Sequence, residues 1–346
     1  MTTSPRPARA PTLRIGVLGA ARITPMALLR PAAQVAGVDV VAVAARDPAR
    51  AATFARKHGI RAVHERYEAL FDDEGIDAIY NPLPNSHHKT LTIRALQAGK
   101  HVLCEKPLAA NADDARAMHE AAVHSGKVLM EAFHWRYHPL AARVLEEIDR
   151  LGPLKRVRAS FCIPLPLPGD IRFRKDLAGG ALMDTGCYAV NIARTFCGVA
   201  GTARSLIVDD AKALLMSPEV DRAFSGRLHT PEGVEVVIEC SLLSSRLLSA
   251  RAQIEGERGS IDVWNPVVPQ FFHRLRTCID EPAGRRWSSS LVPGQATYVH
   301  QLEAFRDAVV VAAPFPSTSL DGIANMATID ALYAKAGMSR RESYSS

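Results

Sequence analysis

The chain has 346 residues, 47% hydrophobic and 23% charged, with 42 Lys and Arg against 36 Asp and Glu. This ordinary globular composition excludes a disordered or fibrous chain, and at about 150 residues per domain it points to two domains. Charge-free stretches such as 308–319 fall far short of the roughly 18 apolar residues that span a bilayer, and the scattered arginines form no nucleic-acid footprint.

Residues 1–12, MTTSPRPARAPT, have three prolines and no apolar run behind them, so they read as a disordered tail rather than a secretory signal. From Leu13 the chain alternates. LRIGVLG (13–19), VDVVAVAA (38–45), IDAIYN (76–81), HVLCE (101–105) and KVLMEAF (127–133) are apolar runs of strand length. Helices lie between them: one from Thr24, where Thr-Pro offers a cap and an N1 proline, then Asp47 to Gly59, Ser86 to Gly99 and Asn111 to Gly126. Strands apolar throughout, separated by amphipathic helices, predict a doubly wound parallel sheet, an α/β nucleotide-binding domain over residues 13–134.

From residue 135 the pattern changes. A helix is expected at Pro139–Arg150, a strand at 154–163, a proline-rich loop at 164–170 and a glycine-started helix at 179–197. Period-two segments at 203–210, 222–229, 233–243, 246–256 and 273–280 follow with no helix between them. They predict an open, mainly antiparallel sheet in an α+β second domain, 135–338, closed by helices near 296–312 and 318–336. The polar residues 339–346 read as a disordered tail. Apolar residues on both faces of GVEVVIECSLL (233–243) point to a sheet that pairs two copies into a homodimer. The six cysteines are far apart, with no C-x-x-C, which argues against zinc and disulfide scaffolds and for a reduced, cytoplasmic protein. His87 and His88 are adjacent on a helix and point apart, so no metal is expected.

The turn after the first strand is a candidate pyrophosphate site, with Gly19, Ala21, Arg22 and Ile23 at the start of a helix. Against G-x-G-x-x-G, Ala21 and Thr24 replace the second and third glycines. The second strand ends Ala44-Ala45-Arg46-Asp47, where an acid would select NAD. Asp47 is claimed as a cap before Pro48, and Arg46 can clamp a 2′-phosphate, so NADP is favoured with NAD the alternative.

Four further runs carry a resemblance: Y-N-P-L-P-N-S-H at 80–87, E-K-P at 105–107, E-A-F-H-W-R-Y-H-P at 131–139 and G-G-A-L-M-D-x-G-x-Y at 179–188. Through them the chain resembles the Gfo/Idh/MocA oxidoreductases, nearest the glucose-fructose oxidoreductase, xylose dehydrogenase and dimeric dihydrodiol dehydrogenase branch. The resemblance implies an NAD(P)-dependent oxidoreductase acting on CH–OH groups of a sugar, polyol or cyclic diol. It implies that Lys106 lies near the nicotinamide and the reacting hydroxyl, with Glu105 beside it. Asp184 and Tyr188 would complete the catalytic set, Arg136 and Tyr137 would face substrate, and Pro82, Asn85 and His87 would lie along the cofactor.

The residues make chemical sense by themselves. Oxidising an alcohol needs a proton acceptor, and a free Tyr is a poor base at neutral pH unless a cation such as Lys106 lowers its pKa. Asp184 and Tyr188, four apart, share one helix face. His134 and His138 read as packing or substrate contacts, and the loop 164–176 as a pocket rim presenting Arg172 or Arg174. A dinucleotide-sensing regulator, disfavoured by the presence of both Lys106 and Tyr188, and an NAD-dependent glycosidase remain alternatives.

Overall fold

A computed structural model describes residues 12–165, 169–245 and 248–344. It contains a six-stranded sheet ordered β3-β2-β1-β4-β5-β6 and an eight-stranded sheet ordered β14-β13-β12-β11-β7-β10-β9-β8. The first comprises β1 (Leu13–Leu18), β2 (Val38–Ala44), β3 (Ala62–His64), β4 (Ala78–Asn81), β5 (His101–Cys104) and β6 (Leu129–Glu131), every pair parallel. Ile15, Val17, Val43, Ile79 and Val102 are fully buried within it, as helices on both faces require. Each such side chain contributes about 1.5–3 kcal/mol relative to exposure.

Caps set the helix boundaries much as the sequence indicates. The Asp47 carboxylate accepts from the amides of Ala49 and Arg50, and Gly59 ends that helix at φ +71. Asn111 accepts from the Asp114 amide and Gly126 closes at φ +64. Thr24 departs from expectation. It is already helical and caps nothing, because the segment opens as a wide turn at Pro25–Leu29.

The second sheet is β7 (Leu154–Cys162), β8 (Ile207–Ser217), β9 (Val220–His229), β10 (Glu235–Ser241), β11 (Ser249–Gly256), β12 (Gly259–Trp264), β13 (Arg274–Glu281) and β14 (Gly284–Ser290). All its pairs are antiparallel except β7 with β10. One face packs on the helix Cys187–Phe196, all of whose residues are buried. The other carries charged residues: Arg156 bonds Glu235 and Glu255, and Arg251 bonds Asp262. The run 233–243 is therefore not apolar on both faces, since Val236, Ile238 and Cys240 are buried while Val237 stands between Glu235 and Glu239.

Two parts of the second stretch of sequence reach back to the first sheet. The helix Thr297–Val311 packs through Tyr298, Val299, Leu302 and Phe305 against the cluster holding Ile15 and Val17. Residues 339–344 are not the loose tail their polarity implied. The buried Arg341 guanidinium bonds Asp221 and the Gly179 carbonyl, and the Tyr344 amide donates to the Ser86 carbonyl. Of the two tails read as disordered, residues 1–11 and 345–346 lie outside the described residues. No helix among the described residues is long and apolar enough to cross a membrane.

Candidate active site

The candidate site lies where the segments following β5 and β6 meet the wide turn and helix at 182–196: Lys106 reaches Asp184 and Phe133 packs on Tyr188, at the carboxyl ends of a parallel sheet. Lys106 lies two residues after β5 and precedes a cis peptide bond to Pro107. Its loop is pinned on several sides. The Leu108 amide donates to Glu131 Oε1, and the buried His88 ring lies within hydrogen-bond distance of the Pro107 and Leu83 carbonyls. Glu105 accepts from the Tyr80 hydroxyl at 2.7 Å. Burial raises its carboxyl above the usual range.

Lys106 Nζ donates to Asp184 Oδ1 and to the Asp184 backbone carbonyl, each at 3.0 Å. Asp184 sits in a wide helical turn, Leu182–Gly186, that leads into the site helix. Its other oxygen, Oδ2, accepts from Arg172 Nε at 2.9 Å. Burial opposes both charges, but the pairing wins: Lys106 is raised above its ordinary value and the Asp184 carboxyl is held below its own. Arg172 thus faces the site from the rim loop, while Arg174 turns away to Asp176.

Tyr188 is 4% exposed, its ring wedged edge-on between Phe133 and Phe161. The sequence expectation of a Lys106 ammonium at its hydroxyl, lowering its pKa, is not met. Nζ lies over the ring, 4.9 Å from its centroid, and the hydroxyl bonds His134 Nε2 at 3.0 Å. Burial, then the charges of Glu105, Cys187, Asp184 and Glu131, push the hydroxyl well above its ordinary value. His134 Nδ1 meets Thr297 Oγ1 at 2.8 Å.

The structure brings Lys106, Asp184 and Tyr188 together, with Glu105 alongside. It does not bring in Arg136 or Tyr137. Arg136 is buried against Asp321, which also holds the fully buried Arg194, and the charge therefore serves packing. The Tyr137 ring packs against the first core and its hydroxyl is buried. Pro82 is buried, Asn85 donates to the Ala178 carbonyl, and His87 stacks on Tyr344 with ring centroids 5.0 Å apart. Two members of the cluster escaped the sequence: Thr297, and His134 as the partner of the Tyr188 hydroxyl. Only the fold joins them, across 163 positions.

The turn after β1 fits a dinucleotide. Gly19 has φ +78, and a Cβ there would stand 2.8 Å from Leu83. The Thr24 hydroxyl at the helix start is buried with no partner among the described residues. Arg46 is exposed at the end of β2, and Asp47 is occupied as a cap. No group of three His, Cys, Asp or Glu residues among those described could hold a metal ion.

A parallel-sheet nucleotide domain with a lysine, an aspartate and a buried tyrosine at its mouth defines a nicotinamide-dependent oxidoreductase. Residues 13–133 match the oxidoreductase family with an NAD-binding Rossmann fold, and residues 140–262 match the GFO/IDH/MocA C-terminal domain. The chain belongs to the Gfo/Idh/MocA family. It is 35% identical to D-xylose 1-dehydrogenase (NADP(+)) 2 of Haloferax volcanii over 94% of this chain and 97% of that protein. It is 34% identical to trans-1,2-dihydrobenzene-1,2-diol dehydrogenase of Xenopus tropicalis over 66% of this chain and 69% of that one. A 3-ketoreductase from Actinomadura kijaniata, solved with NADP and TDP-benzene, superposes with a TM-score of 0.83 at 28% identity, covering 96% of this chain and 100% of its own.

Proposed function

We propose that this oxidoreductase uses NADP to oxidise or reduce a CH–OH centre of a sugar, polyol or cyclic diol. The observation that carries the reading is the Lys106–Asp184 ion pair lying against Tyr188 at the carboxyl end of β5. When bound, the dinucleotide supplies the acceptor or donor of the hydride. Tyr188 exchanges a proton with the substrate oxygen, its raised pKa keeping it protonated at rest and ready to donate to a carbonyl. Lys106 stabilises negative charge on that oxygen, and Asp184, held from the other side by Arg172, keeps the ammonium aimed and charged. Gly19, Ala21, Arg22 and Ile23 hold the pyrophosphate, Arg46 reads the 2′-phosphate, and Pro82, Asn85 and His87 flank the cofactor.

Aldoses, inositols and dihydrodiols, each tried with NADP and NAD while the nicotinamide absorbance is followed, test the reading. Net formation of NADPH with one of these classes supports it. Turnover of a glycoside without net NADPH would establish the redox-neutral hydrolase instead, and dinucleotide binding without turnover a sensor.

We infer further that two copies pair through the open sheet. Trp264 and Trp287 are 47% and 64% exposed on it, aromatic surface that a second sheet laid on the first would cover. Light scattering at micromolar concentration checks this, and a monomer contradicts it. The buried thiols of Cys104, Cys187, Cys240 and Cys278 are compatible with a reducing, cytoplasmic setting.

A further inference from the structure

We propose that His134 is the positioning residue of the reaction: its imidazole, held between Thr297 and Tyr188, sets the direction of the Tyr188 O–H and takes or returns that proton as Tyr188 exchanges one with the substrate. The inference rests on the reading of Tyr188 above. Among the described residues, the Tyr188 hydroxyl has one hydrogen-bond partner, His134 Nε2 at 3.0 Å. Lys106 does not bond it: Nζ lies over the ring, 4.9 Å from its centroid, and donates twice to Asp184.

The imidazole is fixed from two directions. His134 is 2% exposed, its ring lies against Tyr298, tilted by 35° with centroids 4.1 Å apart, and Nδ1 meets Thr297 Oγ1 at 2.8 Å. Because a threonine hydroxyl both donates and accepts, the ring can hold either neutral tautomer. With hydrogen on Nδ1, Nε2 accepts the Tyr188 O–H and leaves Oη open to receive a proton. With hydrogen on Nε2, the ring donates to Oη and the Tyr188 O–H is free to point at a carbonyl. The two tautomers match the two directions of the reaction.

In oxidation, the substrate O–H bond breaks and its proton joins Tyr188 Oη. The former Tyr188 proton joins His134 Nε2. The carbon-bound hydrogen leaves with its bonding electron pair, as hydride, to an oxidised nicotinamide dinucleotide, leaving a carbonyl, and the imidazolium has Thr297 and Tyr188 as its two acceptors. The path avoids a free tyrosinate in a buried place. The charged and titratable groups facing the pair are Lys106, Asp184, Glu105, Glu131, Cys187 and Tyr298. Burial, then the Lys106 charge, lowers the imidazole to about 3, so it rests neutral, accepting the Tyr188 O–H as a hydrogen bond, and carries the proton only in passing rather than storing it.

The test compares His134→Phe with His134→Gln, the first keeping a ring against Tyr298 and the second restoring a polar group near Nε2. For the phenylalanine variant we expect kcat to fall roughly 10–100-fold, with KM, NADP affinity by fluorescence and Tm nearly unchanged. Its oxidation pH profile should move to higher pH, and His134→Gln should recover part of the rate. In ¹⁵N-histidine NMR spectra of the protein without substrate, Tyr188→Phe should shift the His134 Nε2 resonance, a readout independent of turnover. A pH profile that stays put in His134→Phe while Tyr188→Phe is inactive overturns this inference alone. Near-normal turnover in Tyr188→Phe overturns the underlying reading with it.

Discussion

The two walls of the cleft differ in kind. On one side Lys106, Asp184 and Arg172 form an ionic chain in which every charge has a partner. On the other, with the Tyr188 ring centroid 4.9 Å from the ammonium, Tyr188, His134 and Thr297 form a neutral, buried chain whose hydrogens can be redistributed. Fixed charge suits stabilising an oxyanion, because it costs no reorganisation when charge develops. A neutral chain suits moving a proton. On the proposed reading, dividing the tasks lets one small site do both without Lys106 having to lower the tyrosine pKa.

The largest effect should come from removing the ionic wall's cation. Lys106→Ala should lower kcat roughly 10²–10⁴-fold, and adding Tyr188→Phe should cost much less than the product of the two, because the walls act on one oxygen. Multiplicative losses in steady-state kinetics would mean the walls work independently.

Asp184→Asn probes the same wall through stability. It leaves two cations facing a neutral amide and should cost about 3 kcal/mol in urea unfolding at neutral pH. The sign with pH follows from a folded-state pKa held below the unfolded value: the stabilisation is present above about pH 4 and is lost as pH falls through the folded value. The variant should lack that acid-side loss.

Arg46→Ala, far from both walls, should weaken NADP about tenfold, on the order of 1.4 kcal/mol, and leave NAD affinity and the chemical step alone. Equal losses for the two cofactors would remove Arg46 from the 2′-phosphate.

Glu131→Gln should change the pH dependence of stability rather than the rate. Burial, then Asp321, raises the Glu131 carboxyl to about 8, while it accepts from the Leu108 amide beside Lys106. A raised carboxyl keeps its proton in the fold while the unfolded chain releases it. Stability should therefore decline as pH rises between roughly pH 4.5 and 8, then level off. The glutamine variant should be flat over that range by thermal unfolding.

Much of this was legible in the sequence, for reasons that individual residues make plain. Strands such as β1 and β2, buried on both faces, read as unbroken apolar runs, and Asp47, Gly59, Asn111 and Gly126 marked helix ends. β3 escaped because three residues make no pattern, and β14, GRRWSSS, because all seven are exposed and nothing alternates. Lys106, Asp184 and Tyr188 were legible as residue types at strand end and helix face. Their bonding was not, because the wide turn at Leu182–Gly186 turns an Asp184 carbonyl toward Lys106, and a helix beginning at Thr297 carries the hydroxyl to His134. Arg136 misled for the converse reason: a charge inside a motif looks functional, and its partner Asp321 lies 185 residues away.

The most direct test of the account is the single-turnover rate of Tyr188→Phe, loaded with NADP and the best substrate from the panel, set against the parent protein. The substitution removes one hydroxyl from a ring packed by Phe133 and Phe161, so fold and NADP affinity should survive. The account predicts a chemical step slowed roughly 10²–10⁴-fold. A rate within a few-fold of the parent would contradict it.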